Sequence, residues 1–438
     1  MKRLVRTLCI LVGFMLVASM GVLAQGQRYS GVTIRCMMEP HPTTTALIAL
    51  VPEFEKATGI KVILEEVPYE HLPNKALLNF TTKSSDYDIV HDDWLFHAYG
   101  YAKAGYLEPL DKFLKDPVLG KGADLEDFPP VLINSMKVDG KLYGLPLYSD
   151  STFLMYRKDL FEEYGVKVPT AMADLEEAAK KLTLDTNDDG KVDIYGITLR
   201  AKRGIHMTWT WSNFFIAFGA KYFDDSMKPV VNSPEAIKAT EYYVNLVKQY
   251  CPPGATNYGW EENRIAFEQG RAAMTVDASV NAGFAEDPEK SKVAGKVGYA
   301  LIPKGKAYGI NLSLHSLYIS SFSKHKEAAF EFIKWATSKE TQMKALMIAP
   351  IPTCTSITAL KSKEYDAKYH VFKDAHFRSV ENGNLEYVPR IQETMEVTDT
   401  ISTYISEAIA GRKTVKQALD EANEAVYQIM KKAGYYGK

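Results

Sequence analysis

The chain has 438 residues, with 52 basic and 54 acidic side chains and a formal net charge of −2. So even a balance leaves no electrostatic footprint for nucleic acid or an anionic membrane surface. At 46% hydrophobic and 24% charged residues it is not a disordered chain, and its length supports large cores in two or more domains. The first residues carry Lys2, Arg3 and Arg6, then run apolar from Leu8 to Leu23 and end on Ala24. A basic head, a short greasy middle and a small-residue end predict a signal peptide over residues 1–24, cleaved after Ala24. The apolar run is shorter than the ~20 residues of a membrane span. Cys9 lies inside it without the small residues expected ahead of a lipid-modified cysteine, so the mature protein is expected to be soluble, and periplasmic or extracellular. Cys36, Cys251 and Cys354 remain. An odd number permits at most one disulfide, and their spacing matches no zinc pattern.

Val32–Met38 reads as a buried strand. Leu47, Leu50, Val51, Phe54 and Ala57 then recur at helical spacing up to Gly59, with Pro52 removing one hydrogen bond from that helix. Ile60–Glu66 is a second strand, Glu70–Lys83 a helix and Tyr87–His91 a third strand. Strands alternating with helices predict parallel pairing by right-handed crossovers, with ligands outside the carboxyl ends of the strands. Those ends are Met38-Glu39-Pro40-His41 and His91-Asp92-Asp93-Trp94.

A long alternating strand is predicted over Leu145–Tyr156. Its period of two points Tyr148 and Asp150 the same way, an aromatic plate beside a carboxylate. That pair suits a polyhydroxylated ligand, the ring covering a C–H face and the carboxylate accepting from hydroxyls; a plain surface position fits a lone Tyr-x-Asp as well. A second α/β unit follows: a helix over Ala171–Leu182, a strand over Tyr195–Leu199 and an aromatic helix over Trp209–Phe218. A long helix over Ser233–Tyr250 has Ser233 as cap and Pro234 at its first position. Then come a helix over Trp260–Gln269, strands over Ala272–Asp277 and Leu312–Ser320, and a helix over Lys326–Thr337. A final helix carries the stripe Val415, Ala418, Leu419, Ala422, Val426 and Ile429. Without repeats or a disordered linker, two such units imply lobes joined by strands, a hinge geometry.

The chain contains no G-x-S-x-G, H-E-x-x-H, Gly-rich phosphate loop or G-x-G-x-x-G. Carboxylates are plentiful, so a secreted carbohydrate-active hydrolase or lyase stands as an alternative. The run from Asp185 through Asn187, Asp189, Gly190 and Lys191 to Asp193 matches the first part of an EF-hand loop. Gly196 stands where the bidentate Glu belongs, so the reading is a weakened structural calcium site; an Asx-rich turn is the competing one. No cofactor is otherwise expected. Trp209, Trp211, Asn213 and Trp260 fit either a pocket wall or a core, whereas Phe214, Phe215 and Phe218 fit a core. Asp277 ends a strand before Ala278, Ser279, Val280 and Asn281, as a helix cap or a ligand acceptor.

In order along the chain, Val51-Pro-Glu-Phe-Glu-Lys-Ala-Thr-Gly-Ile-Lys-Val62, Tyr87-Asp-Ile-Val90, Gly140-Lys-Leu-Tyr-Gly-Leu-Pro146, Met155-Tyr-Arg-Lys-Asp-Leu160, Ala266-Phe-Glu-Gln-Gly-Arg-Ala-Ala-Met-Thr-Val276 and Ala410-Gly-Arg-Lys-Thr-Val-Lys-Gln-Ala-Leu419 together resemble the solute-binding proteins of carbohydrate ABC transporters, near the maltose-binding family. The resemblance implies a type II periplasmic-binding fold of two lobes, each a mixed sheet flanked by helices, with three hinge crossings near Pro146–Asp150, Gly309–Leu314 and Ile351–Thr355. It assigns 25–147 and 314–352 to the first lobe and 148–313 and 353–438 to the second. It also implies a cleft lined by Glu39 or His41, Asp92, Asp93, Trp94, Asp150, Trp209, Trp211, Trp260, Asp277 and Arg390. Val280 and Asn281 stand where maltose binders carry an aromatic, which favours a mono- or disaccharide, sugar alcohol or cyclitol over a long maltodextrin. The resemblance further implies a monomer that shuts on its solute and docks on ABC permease subunits. A chemoreceptor ligand-binding protein using the same cleft is the other alternative.

Overall fold

A computed structural model describes residues 29–436; the expected signal peptide lies outside them. Strands β1 (Thr33–Met38), β2 (Lys61–Glu66), β3 (Ile89–Asp93), β4 (Gly144–Tyr148), β5 (Thr152–Arg157), β6 (Met274–Ala278), β7 (Val297–Ala300) and β8 (His315–Ile319) build the two main sheets. The larger has five strands in the order β2-β1-β3-β8-β4, and the smaller three in the order β6-β5-β7. β1 pairs in parallel with β2 and β3, while β8 runs antiparallel to β3 and β4. The first sheet is therefore mixed, and the carboxyl ends of β1 and β3 share an edge with the amino end of β8.

The helix Pro42–Thr58 begins where His41 Nδ1 accepts from the Thr43 amide and ends at Gly59, whose φ of 77° few other residues tolerate. Pro52 is accommodated within it. It packs on Lys339–Ile348, and Lys326–Ala336 covers β4 and β8. In the second lobe Ile205–Ala217 and Pro234–Tyr250 pack on the C-terminal helices Thr394–Ile409 and Val415–Lys432, while Lys363–Glu381 lies on β5 and β7. Ser233 caps Pro234–Tyr250 by accepting from the Ala236 amide.

Two expected strands differ. Leu145–Tyr156 is not one strand: β4 ends at Tyr148 in the first sheet and β5 begins at Thr152 in the second. Alternation persists through both, so periodicity does not expose the break. The backbone at Ser149–Ser151 leaves the ladder of the first sheet and pairs with other connecting segments: the Ser149 amide donates to Thr353 O, Ser313 to Asp150 O and Thr152 to Asn311 O. Tyr195–Leu199 forms only single bridges, Tyr195 to Ala272 and Thr198 to Thr275. The chain thus passes between the sheets at 148–152, 311–314 and 351–355, and these three segments lie side by side. Asn213 ties them to the helix Ile205–Ala217, its side chain accepting from Thr152 Oγ1 and donating to Trp209 O.

Candidate functional site

Between the lobes lies a cavity of about 280 Å³, whose walls include Glu39, His41, Tyr69, Asp93, Tyr148, Asp150, Arg200, Trp209, Trp260, His315 and Tyr387. Its floor is the shared edge of β1, β3 and β8. Glu39 and His41 follow β1, Asp93 closes β3 and His315 opens β8. The rings stack in a column: His41 on Tyr148 at 4.0 Å, Tyr148 on His315 at 4.5 Å and His315 on His91 at 5.2 Å between centroids. Tyr148 donates its hydroxyl hydrogen bond to Glu39.

The floor is rich in carboxylates that burial penalises. Burial, and then the charges of Asp92, Asp150 and Asp93, holds Glu39 well above the ordinary carboxyl range. Burial pushes Asp93 up to about 6 and Asp150 up to about 7. Asp93 is committed to the protein: Oδ1 accepts from the Leu95 and Phe96 amides at 2.8 Å, and Oδ2 from the Leu314 amide at 3.1 Å. Asp150 Oδ1 accepts from the Val280 amide at 2.9 Å and from Ser279 Oγ. Burial likewise keeps His41 and His315 well below the ordinary imidazole value and brings His91 to about 4, so these rings are neutral.

The opposite wall comes from the second lobe. Arg200 pairs with the fully buried Asp277, and its guanidinium lies 5.6 Å from the Trp209 ring centre. Trp209 meets Tyr387 edge-on at 5.3 Å. Trp260 donates its indole N–H to Asn281 Oδ1 at 2.6 Å. At the rim Glu70 reaches across the cleft to Lys202 at 2.9 Å and to His206 at 3.6 Å. His206 and then Lys202 hold the Glu70 carboxyl well below its usual value.

Of the residues the sequence singles out, Glu39, His41, Asp93, Tyr148, Asp150, Trp209 and Trp260 line the cavity. The others do not. Asp92 turns into the first lobe, where it meets His97 Nδ1 at 2.6 Å and the Tyr101 hydroxyl at 3.0 Å. Trp94 is fully buried against Tyr318, and Trp211 is buried with its N–H on Thr240 Oγ1 at 2.9 Å. On a helix, Trp209 and Trp211 point about 200° apart, so a pocket that takes one leaves the other to the core. Asn213 serves the crossing strands, Asp277 positions Arg200 and Asn281 positions Trp260. Arg390 pairs with Glu386 at 3.5 Å beside a separate surface hollow with Tyr99, Lys103 and Tyr435.

Sequence reasoning missed Tyr69, Glu70, Arg200, His315 and Tyr387. Tyr69 and Glu70 follow β2, so the rule placing ligands beyond strand carboxyl ends reaches them too. Arg200 follows the Thr198 bridge in the same way. His315 begins an antiparallel strand, whose amino end faces the cleft, and Tyr387 comes from irregular chain that no local pattern marks. The loop holding Asp185, Asn187, Asp189, Lys191 and Asp193 is exposed. Its side-chain oxygens accept from its own amides: Asp185 from Asp189 and Gly190, Asn187 from Asp189, Asp189 from Lys191 and Asp193 from Thr186. Among the described residues its acids do not gather three ligand atoms within 4.8 Å of one another. Cys36, Cys251 and Cys354 are buried free thiols.

The sequence model of the family described as bacterial extracellular solute-binding protein matches residues 41–343. The mannitol-binding protein of Pseudomonas aeruginosa is 29% identical over 402 residues, spanning 85% of this chain and 86% of that protein. Two crystal structures of ABC transporter solute-binding proteins superpose over nearly the whole chain. One, from Agrobacterium radiobacter K84 in complex with ribitol, has a TM-score of 0.85 at 31% identity and covers 92% of this chain and 99% of that one. The other, from Agrobacterium vitis S4 with bound D-mannitol, has a TM-score of 0.84 at 33% identity and covers 93% and 100%.

Proposed function

Because this chain belongs to the bacterial extracellular solute-binding protein family, with the type II periplasmic-binding fold, we propose that it captures an acyclic sugar alcohol between its lobes for an ABC importer. The observation that carries this reading is a set of cavity-lining residues that each hold a buried polar atom without a hydrogen-bond partner in the protein: His41 Nε2, Arg200 Nε, Trp209 Nε1, His315 Nδ1 and the Tyr387 hydroxyl. Buried polar groups are costly unpaired, and a chain of hydroxyls supplies both donors and acceptors to them. The rings of Tyr148, Trp209, Trp260 and Tyr387 cover the C–H faces between those hydroxyls. A cavity of about 280 Å³ suits a molecule of this size and is small for a long maltodextrin. The polyols bound by the relatives support the same class.

The protein acts without turnover, as a monomer outside the cytoplasmic membrane, and hands its solute to permease subunits that an ATPase drives. No helix among the described residues is long and apolar enough to cross a membrane. The Asp185–Asp193 loop is read as a structural calcium loop. Isothermal calorimetry with mannitol, ribitol, erythritol, maltose and free amino acids tests the reading. One-to-one binding of a sugar alcohol, recovered unaltered, is expected; binding confined to maltose or an amino acid overturns it.

A further inference from the structure

Beneath the cavity floor His91 lies in β3, fully buried, and neither ring nitrogen has a hydrogen-bond partner in the protein. An ordinary core histidine donates one N–H to a carbonyl or carboxylate, and leaving both nitrogens unpaired carries the full desolvation penalty. In the β3–β8 ladder His315 faces Asp93 and Leu317 faces His91, so His91 and His315 are diagonal neighbours on one side of the sheet. Glu39, one residue past β1, reaches the same point. One ligand atom from each of Glu39, His91 and His315 lies within 4.8 Å of the other two, and Glu39 Oε1 is 3.7 Å from His315 Nδ1. A zinc-like ion bonded at about 2.0–2.2 Å to each would hold such atoms roughly 3.3–3.7 Å apart, so binding draws the three side chains together and turns the stacked His91 and His315 rings, whose planes lie 19° apart, until each aims a nitrogen at the ion. The Tyr148 hydroxyl donates to Glu39 Oε1, the same oxygen that approaches His315, and the Tyr148 ring packs on His315.

We propose that Glu39, His91 and His315 bind one divalent transition-metal ion of the zinc class under the solute cavity. Two imidazoles and a carboxylate are a zinc or iron(II) ligand set and discriminate against calcium and magnesium, which require oxygen shells. Glu39 and His315 line the cavity whereas His91 does not, so the ion's remaining positions face the cavity, for water or a solute hydroxyl. The site goes beyond the sugar-alcohol reading and stands whichever solute fills the cleft.

Titration of the metal-stripped protein with Co²⁺ in the absence of polyol tests it. We expect one equivalent with visible d–d absorption, displaced by Zn²⁺ and indifferent to Ca²⁺ and Mg²⁺. Affinity should fall at least about tenfold in His91→Gln and in His315→Gln, and stay unchanged in His370→Gln, an exposed position on the helix Lys363–Glu381. His315→Gln, on the cavity wall, serves where His91→Gln fails to fold by circular dichroism. Folded wild type that takes up no Co²⁺ or Zn²⁺, or a folded His315→Gln that binds Co²⁺ like wild type, overturns the proposal. Polyol calorimetry on the same samples separates the two readings: polyol binding without metal uptake removes only the metal site, and metal uptake without polyol binding removes only the functional reading.

Discussion

Trp209 and Trp211 stand two positions apart on one helix, and substituting them separates binding from folding. Trp209→Ala removes a ring and an N–H from the cavity wall, so polyol affinity should fall at least tenfold, ~1.4 kcal/mol, by calorimetry. Trp211→Ala empties a packed core site that includes Phe215 at 4.4 Å, and should cost about 3–5 kcal/mol in denaturant unfolding. Affinity in Trp211→Ala, measured well below its melting temperature, should stay near wild type. Asp150 gives a pH test. The unfolded chain releases this proton near the ordinary carboxyl value, whereas burial keeps it on in the folded protein until about 7. Between those values the folded state binds more protons, so stability falls as pH rises through that window. Asp150→Asn keeps an acceptor for the Val280 amide and removes the titration. Melting temperatures of the ligand-free variant should therefore decline less between pH 4 and pH 8 than those of wild type.

At the scale of elements, the rim contact joins the turn after β2 to the start of the helix Ile205–Ala217 and the segment before it. Glu70 belongs to the first lobe and Lys202 and His206 to the second, so their contact exists only when the lobes are together. The pair is more than a third exposed, and such ion pairs contribute about 0.2–1 kcal/mol. Glu70→Gln should thus weaken polyol binding by no more than about fivefold, through faster dissociation seen in stopped-flow, and the difference from wild type should shrink in high salt. The loop at Asp185–Asp193 is a separate element on the outer surface of the second lobe. As a calcium loop it should lower the melting temperature when EGTA is added and leave polyol affinity unchanged; an unaltered melting curve assigns its hydrogen bonds to an Asx-rich turn instead.

For the whole molecule, a site divided between lobes leads to the expectation that the solute closes them. Glu39, His41 and His315 stand on one wall and Arg200, Trp209 and Trp260 on the other, with Asp150 at the crossing between them. A solute touching both walls binds the closed form more tightly than the open one, and that difference alone shifts the population. Small-angle scattering should show a smaller radius of gyration with the cognate polyol than without it. Equal profiles would mean that the ligand enters a cleft already shut.

How much of this was legible along the chain differs by level. Helix stops such as Gly59, the Ser233 cap and the βαβ pattern of the first lobe are local events written in neighbouring residues, and the elements form close to where those signals lie. The carboxyl-end rule reached Glu39, His41 and Asp93 because parallel strands all point their ends at one edge. It failed for His315, whose strand runs the other way, since strand direction is a property of the sheet and not of the residues within the strand. Aromatic composition singled out the helix Ile205–Ala217 but could not say which tryptophan faces the cavity, because both indoles satisfy a helical pattern and only tertiary packing decides which side is core. Asp92 and Asp93 show the same division: alternation sends neighbours to opposite faces, and tertiary contacts with His97 and Tyr101 claimed one of them. The sequence by itself determined the local elements, their order and the kinship of the chain, since these depend on short-range propensity and ordered motifs. Tertiary structure decided which acids, rings and imidazoles share one cavity, because that requires segments hundreds of residues apart to meet across three crossing strands.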